Sequence, residues 1–228
     1  MALFDPQPIH PSLWRASQMA QSSTACIDTG FPVLSTQLPG GGWPTGTLTE
    51  LLLAQPGIGE WRLLQPALST LNRPIVLIQP PYMPQTLGME LPPERLVWIP
   101  NTGKPGDSLW AAEQVLRSTS CGAVLLWQQH IRSESLRRLH LAAQSGDTFL
   151  CLMRPIANAQ DASPAPLRLA MRPAPLGINI EFVKRRGPSR ATPLFLPITP
   201  RLLQRHACVD WSKPAVPATM QHILPALV

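Results

Sequence analysis

The sequence predicts an α/β fold: a mostly parallel sheet flanked by helices, with an antiparallel β extension toward its C-terminal end. Two observations predict it. Between residues 48 and 153, short continuously apolar runs alternate with amphipathic stretches of helical period. That is the pattern of parallel strands covered on both faces by crossover helices. After residue 155 the period switches to a strict apolar–polar alternation, the mark of hairpin strands.

The elements follow in order. Residues 1–24 read as an arm that Trp14 is placed to anchor, and residues 25–49 as short strand-like pieces punctuated by Gly and Pro. Gly40, Gly41 and Gly42 are consecutive, which demands special backbone angles or the close approach of another chain segment. A strand over 48–53 leads through a Gly-containing turn into a helix over about 59–71. Continuous apolar runs at 74–79, 95–99, 123–127 and 148–153 give four more buried strands. Between them lie a helix at 108–118, with Leu109, Ala112, Val115 and Leu116 on one face, and one at 133–145 through Leu136, Leu139, Leu141 and Ala143. A polar loop at 156–165 precedes a hairpin of strands at 167–171 and 178–183, and a last strand spans 193–198. The expected organisation is an arm (1–24), a core (25–155), a hairpin extension (156–199) and a Pro-punctuated tail (200–228). The tail holds Trp211 and an apolar end at 223–228 that reads as a docking segment or as a strap on its own domain.

Composition narrows the function. Apolar residues make up 44%, ordinary for a globular chain, but charged residues reach only 14% against a usual ~25%. There are 28 prolines in 228 residues, more than twice the usual ~5%. The net charge of +6 permits contact with nucleic acid or an acidic protein. Cys26, Cys121, Cys151 and Cys208 form no Cys-x-x-Cys pair, so Cys121 and Cys151, beside apolar runs, read as reduced core thiols. No signal peptide and no apolar run of membrane-spanning length is visible, so a cytoplasmic location is expected. The five histidines lack metal-ligand spacing and no Gly-x-Ser-x-Gly elbow is present. No catalytic residue, metal or cofactor is expected.

The most informative segment is residues 50–62, a buried strand, a turn with Gly57 and Gly59, and the start of a helix. That is the layout of a phosphate-binding loop. A working loop ends Gly-Lys-Ser/Thr, the Lys reaching the β/γ oxygens and the hydroxyl holding Mg²⁺. Here Glu60 stands at the Lys position and Trp61 at the hydroxyl position. A carboxylate facing a phosphate at 4 Å repels it by roughly 1–4 kcal/mol. Trp61 is placed to plug the vacated pocket.

Residues 28–34 and 38–51, with Gly40-Gly41-Gly42, Pro44-Thr45-Gly46 and the strand before the loop, resemble the approach to a RecA-type ATPase core. Where such proteins end a later strand in an acidic residue for Mg²⁺, this chain has Leu126-Trp127-Gln128. Among RecA relatives it most resembles the ImuA family. The supporting stretches are 38–46, 57–64, 80–84, 108–118, 121–127 and Val183-Lys184-Arg185-Arg186-Gly187. The resemblance covers about 25–198. It implies a RecA-like, non-catalytic accessory of SOS translesion synthesis whose partners are RecA, an ImuB-type protein and an error-prone replicative-type polymerase. Residues 113–117, 122–127 and 152–155 are also similar to SulA, the SOS division inhibitor that binds FtsZ, and that reading ranks second. Oligomeric state and direct contact with DNA stay open.

Lys184, Arg185, Arg186 and Arg190 form the densest basic cluster, suited to DNA phosphates or an acidic partner and equally to a solvated edge that resists aggregation. Arg132, Arg137 and Arg138, with His140, form a second candidate around the helix at 133–145. Trp43, in the Gly-rich loop, and Trp61, at the phosphate-type loop, are the tryptophans placed to touch a partner, whereas Trp98 and Trp127 end buried strands and read as core.

Overall fold

In the computed structural model, which describes residues 25–82, 91–187 and 192–198, the chain enters the sheet through its glycine run. Strands β1 (Cys26–Ile27) and β2 (Trp43–Pro44) pair antiparallel, joined through a short helix α1 (Pro32–Ser35) and a 3-10 turn over Pro39–Gly41. Gly40 and Gly41 take φ of 80° and 78°, and at Gly42 a Cβ would collide with the Ile27 carbonyl oxygen. Both expected reasons for the run therefore operate.

The main sheet is built from β3 (Thr47–Leu53), β4 (Ile75–Ile78), β5 (Leu96–Ile99), β6 (Ala123–Trp127), β7 (Phe149–Pro155), β8 (Leu167–Ala174), β9 (Gly177–Lys184) and β10 (Leu194–Pro197). Its order is β10-β9-β8-β3-β7-β6-β4-β5. Strand β3 is central, parallel to both β7 and β8, and every one of its seven residues is buried. Strands β4, β5, β6 and β7 continue the parallel array. The pairs β8–β9 and β9–β10 are antiparallel. A mostly parallel sheet with a C-terminal antiparallel extension is thus present, and β8 joins that extension to the central strand.

Alternation along each strand divides the core in two. On one face Leu48, Val76, Val124, Leu126, Leu150 and Leu152 meet α3 (Pro105–Ser118) and α4 (Ser133–Ala143) through Ala112, Leu116, Leu136 and Leu139. On the other, Leu51, Leu53, Leu77, Leu125 and Met153 meet α2 (Glu60–Thr70), Trp43 and the inward residues of β8–β10. Strands buried on both sides explain the continuous apolar runs.

Three expectations need correction. Strand β5 is an edge strand, so Val97 and Trp98 are 44% and 43% exposed and Trp98 is not a core residue. In α4 the inward positions are Leu136, Leu139, Ala142 and Ala143, and Leu141 is 63% exposed. Two residues beyond Leu139 lie about 200° around a helix, so its side chain faces outward. Helix α3 begins at Pro105 rather than near 108, since proline is favoured in a first turn. The opposite edge, β10, is also four residues long, with Phe195 47% exposed. The arm at 1–24 with Trp14 and the tail at 200–228 with Trp211 lie outside the described residues. Among those described, no helix is long and apolar enough to cross a membrane.

Candidate functional site

The turn between β3 and α2 holds an anion, and the anion is its own. Gly57 and Gly59 have φ of 84° and 126°, angles that let successive N–H groups point into one hollow. Into it folds the side chain of Glu60, the first residue of α2. The Gly57 N–H donates to Oε1 at 2.7 Å and the Gly59 N–H to Oε2 at 3.2 Å. Glu60 is 4% exposed and sits at the positive end of the helix dipole. The N–H groups that would cradle a phosphate are therefore engaged by a carboxylate in cis. Trp61 is partly buried and packs against the hydrophobic core.

Beside this turn a cleft of about 680 Å³ opens at the carboxyl ends of β3, β4, β6 and β7, where open α/β sheets take ligands. Its walls carry five carboxamides, Gln55, Gln79, Asn101, Gln128 and Gln129, together with His130 and Arg154, and no carboxylate among the described lining residues. Gln79, with φ of 52°, donates through Nε2 to Asn101 Oδ1 at 3.1 Å. Gln128, at the end of β6 where a Mg²⁺-binding acid would stand, accepts from Ser108 at 3.3 Å and donates to the His130 carbonyl at 3.1 Å. Among the described residues no group of three His, Cys, Asp or Glu side chains could hold a metal ion.

Behind the cleft lies a buried ionic network that sequence reading missed. Glu50, in mid-β3 and 0% exposed, accepts from Arg168 Nε at 2.8 Å and Ser163 Oγ at 2.5 Å, with Arg154 Nη1 at 3.8 Å. Arg168 also donates to the carbonyls of Asn158, Ala159 and Asp161, and Arg154 reaches Asp161 at 3.0 Å. Three strands thereby hold the 3-10 segment Ile156–Gln160 against the sheet. Hydrogen bonds from Asn158 and then the charges of Arg154 and Arg168 keep the Asp161 carboxyl below its usual range. Burial, with Glu50 nearby, pushes the Cys151 thiol far up, so it stays a neutral core group. A lone Glu inside an apolar run, with Arg154 and Arg168 at strand positions, was the available signal.

The basic candidates separate. Strand β9 ends at Lys184, placing Lys184, Arg185 and Arg186 at the end of the sheet where the parallel strands begin, opposite the cleft. Arg185 is occupied structurally: its guanidinium lies 4.9 Å over the Phe182 ring and donates to the Gln37 carbonyl at 2.6 Å. Lys184 and Arg186 are exposed, and Arg190 lies outside the described residues. The second cluster is not one cluster. Arg132 precedes α4 beside a 520 Å³ hollow near the cleft, and Arg138 pairs with Glu113 of α3 at 2.7 Å. Arg137 is exposed, while His140, a turn further, nears the other sheet end and hydrogen-bonds Thr47 at 3.4 Å. Trp43 is 0% exposed and tilts against Phe149 at 5.9 Å. It is a core residue, not a partner contact, because the glycine turn folds it inward.

An α/β sheet with a phosphate-type turn filled by its own carboxylate is the class of protein these features define. No protein-family model matches the chain, and no curated protein matches it significantly.

Proposed function

We propose that this chain is a non-catalytic, RecA-like adaptor of SOS-induced translesion synthesis, docking RecA and an ImuB-type protein and, through them, an error-prone replicative-type polymerase. The observation that carries the reading is the seating of Glu60 on the Gly57 and Gly59 N–H groups. A loop already holding an anion has no place for the γ-phosphate, and Gln128 offers no ligand for its Mg²⁺. What remains is the scaffold: a central strand, a loop in fixed shape and an antiparallel extension, as the resemblance to the ImuA family implies. On this reading the surfaces act by contact alone, so docking does not wait on ATP turnover.

The test is a tagged pull-down from DNA-damaged cells with and without nuclease. Recovery of RecA or an ImuB-type protein that survives nuclease supports the adaptor. Recovery of FtsZ alone assigns the chain to division control instead, and MgATP binding at micromolar concentration with turnover refutes the non-catalytic reading.

A further inference from the structure

We infer that the amino-terminal end of the sheet binds the phosphate backbone of nucleic acid, with Lys184 and Arg186 as its cations. The surface is assembled from segments far apart in sequence. Strand β9 runs antiparallel to β8, so Lys184 lies opposite Arg168, near the start of β8. Helix α4 runs back toward the same end and brings His140 with it. Thr47, the first residue of β3, ties the two together. Its hydroxyl hydrogen-bonds His140 Nδ1 at 3.4 Å, and with Arg186 it lines a shallow hollow whose other walls are Pro39, Pro44, Pro166 and Leu167. His140 feels both hairpin cations: after burial itself, Lys184 and Arg186 hold the imidazole below its usual range.

The neighbouring cations are already committed, Arg185 to Phe182 and Gln37, Arg138 to Glu113. The two proposed contacts are not. Lys184 meets a neutral acceptor, the Ser163 carbonyl at 2.9 Å, and among the described residues neither pairs with a carboxylate. Like charges gathered around a half-buried imidazole repel one another, and an anion laid between them reverses the sign of that interaction. The hollow, about 50 Å³, is well short of the roughly 150 Å³ that seats an aromatic ring, the anchor on which many protein interfaces depend. Phosphate contacts are made chiefly by exposed cations, and those are what the surface offers.

The experiment is fluorescence anisotropy of the full chain with a labelled single strand and its duplex, between about 50 and 200 mM salt. Each phosphate contact contributes about 0.7 to the log–log salt slope on a single strand and about 0.9 on a duplex. Lys184→Ala and Arg186→Ala should each flatten the slope by about that amount, and the double variant should lose most of the affinity. Arg132→Ala and Arg172→Ala, away from this end, should leave it unchanged. Far-UV circular dichroism and a melting curve check that the double variant is folded. An absence of binding at the lowest salt, unchanged binding by a folded double variant, or equal capture of free tripolyphosphate with no preference for a strand would each overturn the inference. It stands apart from the adaptor reading: nuclease-resistant capture of RecA does not require it, and oligonucleotide binding does not require RecA.

Discussion

Replacing Glu60 by alanine should both weaken the fold and open an anion site. The carboxylate receives two N–H groups, at 2.7 and 3.2 Å, and hydrogen bonds to a charged group contribute about 1.5–3 kcal/mol each. The shorter bond comes from Gly57, which is exposed and exchanges its partner for water at little net cost. Gly59 is buried and would be left with an unmet donor, a loss of about 1–3 kcal/mol. Loss of the charge at the start of α2 adds about 0.3–1 kcal/mol. Together Glu60→Ala should cost about 1–4 kcal/mol, or roughly 3–16 °C in Tm at this chain length. Glu60→Gln, which keeps one acceptor, should lose about half. The informative arm is ligand rescue. Pyrophosphate at ten times its Kd should restore about 1.4 kcal/mol to Glu60→Ala, while the unaltered chain, whose site is filled, should not respond. A melting series with and without pyrophosphate reads both effects. Equal stability of Glu60→Ala and the parent chain, or equal rescue of both, would refute the claim that Glu60 occupies the phosphate position.

Three further outcomes follow from the structure. Glu50→Ala should destabilise the fold by about 3–5 kcal/mol in urea titrations, because it strands the Arg168 and Arg154 charges beneath the 3-10 segment. Trp43→Ala should cost about 3–5 kcal/mol and lower the urea midpoint, with no partner lost at temperatures where the variant stays folded; selective loss of one partner would show that Trp43 reaches the surface. The depressed His140 value sets a sign for pH: the unfolded chain takes up this proton first on acidification, so the stability His140 contributes is complete above the usual imidazole value and falls as pH drops through the folded one. His140→Gln should flatten the dependence of the urea midpoint between about pH 7.5 and 5, and an unchanged profile would place the titration elsewhere.

How much of this could be read in advance depended on range. The parallel strands were legible because both faces of β3, β4 and β6 are covered, which writes an unbroken apolar run. Strand β5 writes the same run, yet it lies at the edge, and no local pattern distinguishes an edge from a centre. The substitution of Glu60 for lysine was plain in the sequence. Its direction was not, since whether a carboxylate repels an incoming phosphate or replaces it depends on the Gly57 and Gly59 angles. Pairings across 118 and 93 positions, Glu50 with Arg168 and Thr47 with His140, exist only once the strand order is known. The same holds for the split of the arginines on α4, where Glu113 claims one and leaves another free.

Among the described residues, the two edges of the sheet give part of the unusual proline content a job. A chain with only 14% charged residues has few lysines and glutamates to guard unpaired backbone, and both of its edge strands expose an aromatic ring. Each edge is cut to four residues and bracketed by residues that cannot donate: Pro92, Pro93 and Pro100 around β5, Pro193 and Pro197 at β10. A second molecule approaching either edge finds a ladder that stops after a rung or two. Proline here acts as a chain terminator of polymerisation, keeping a weakly charged protein from growing sheet upon sheet.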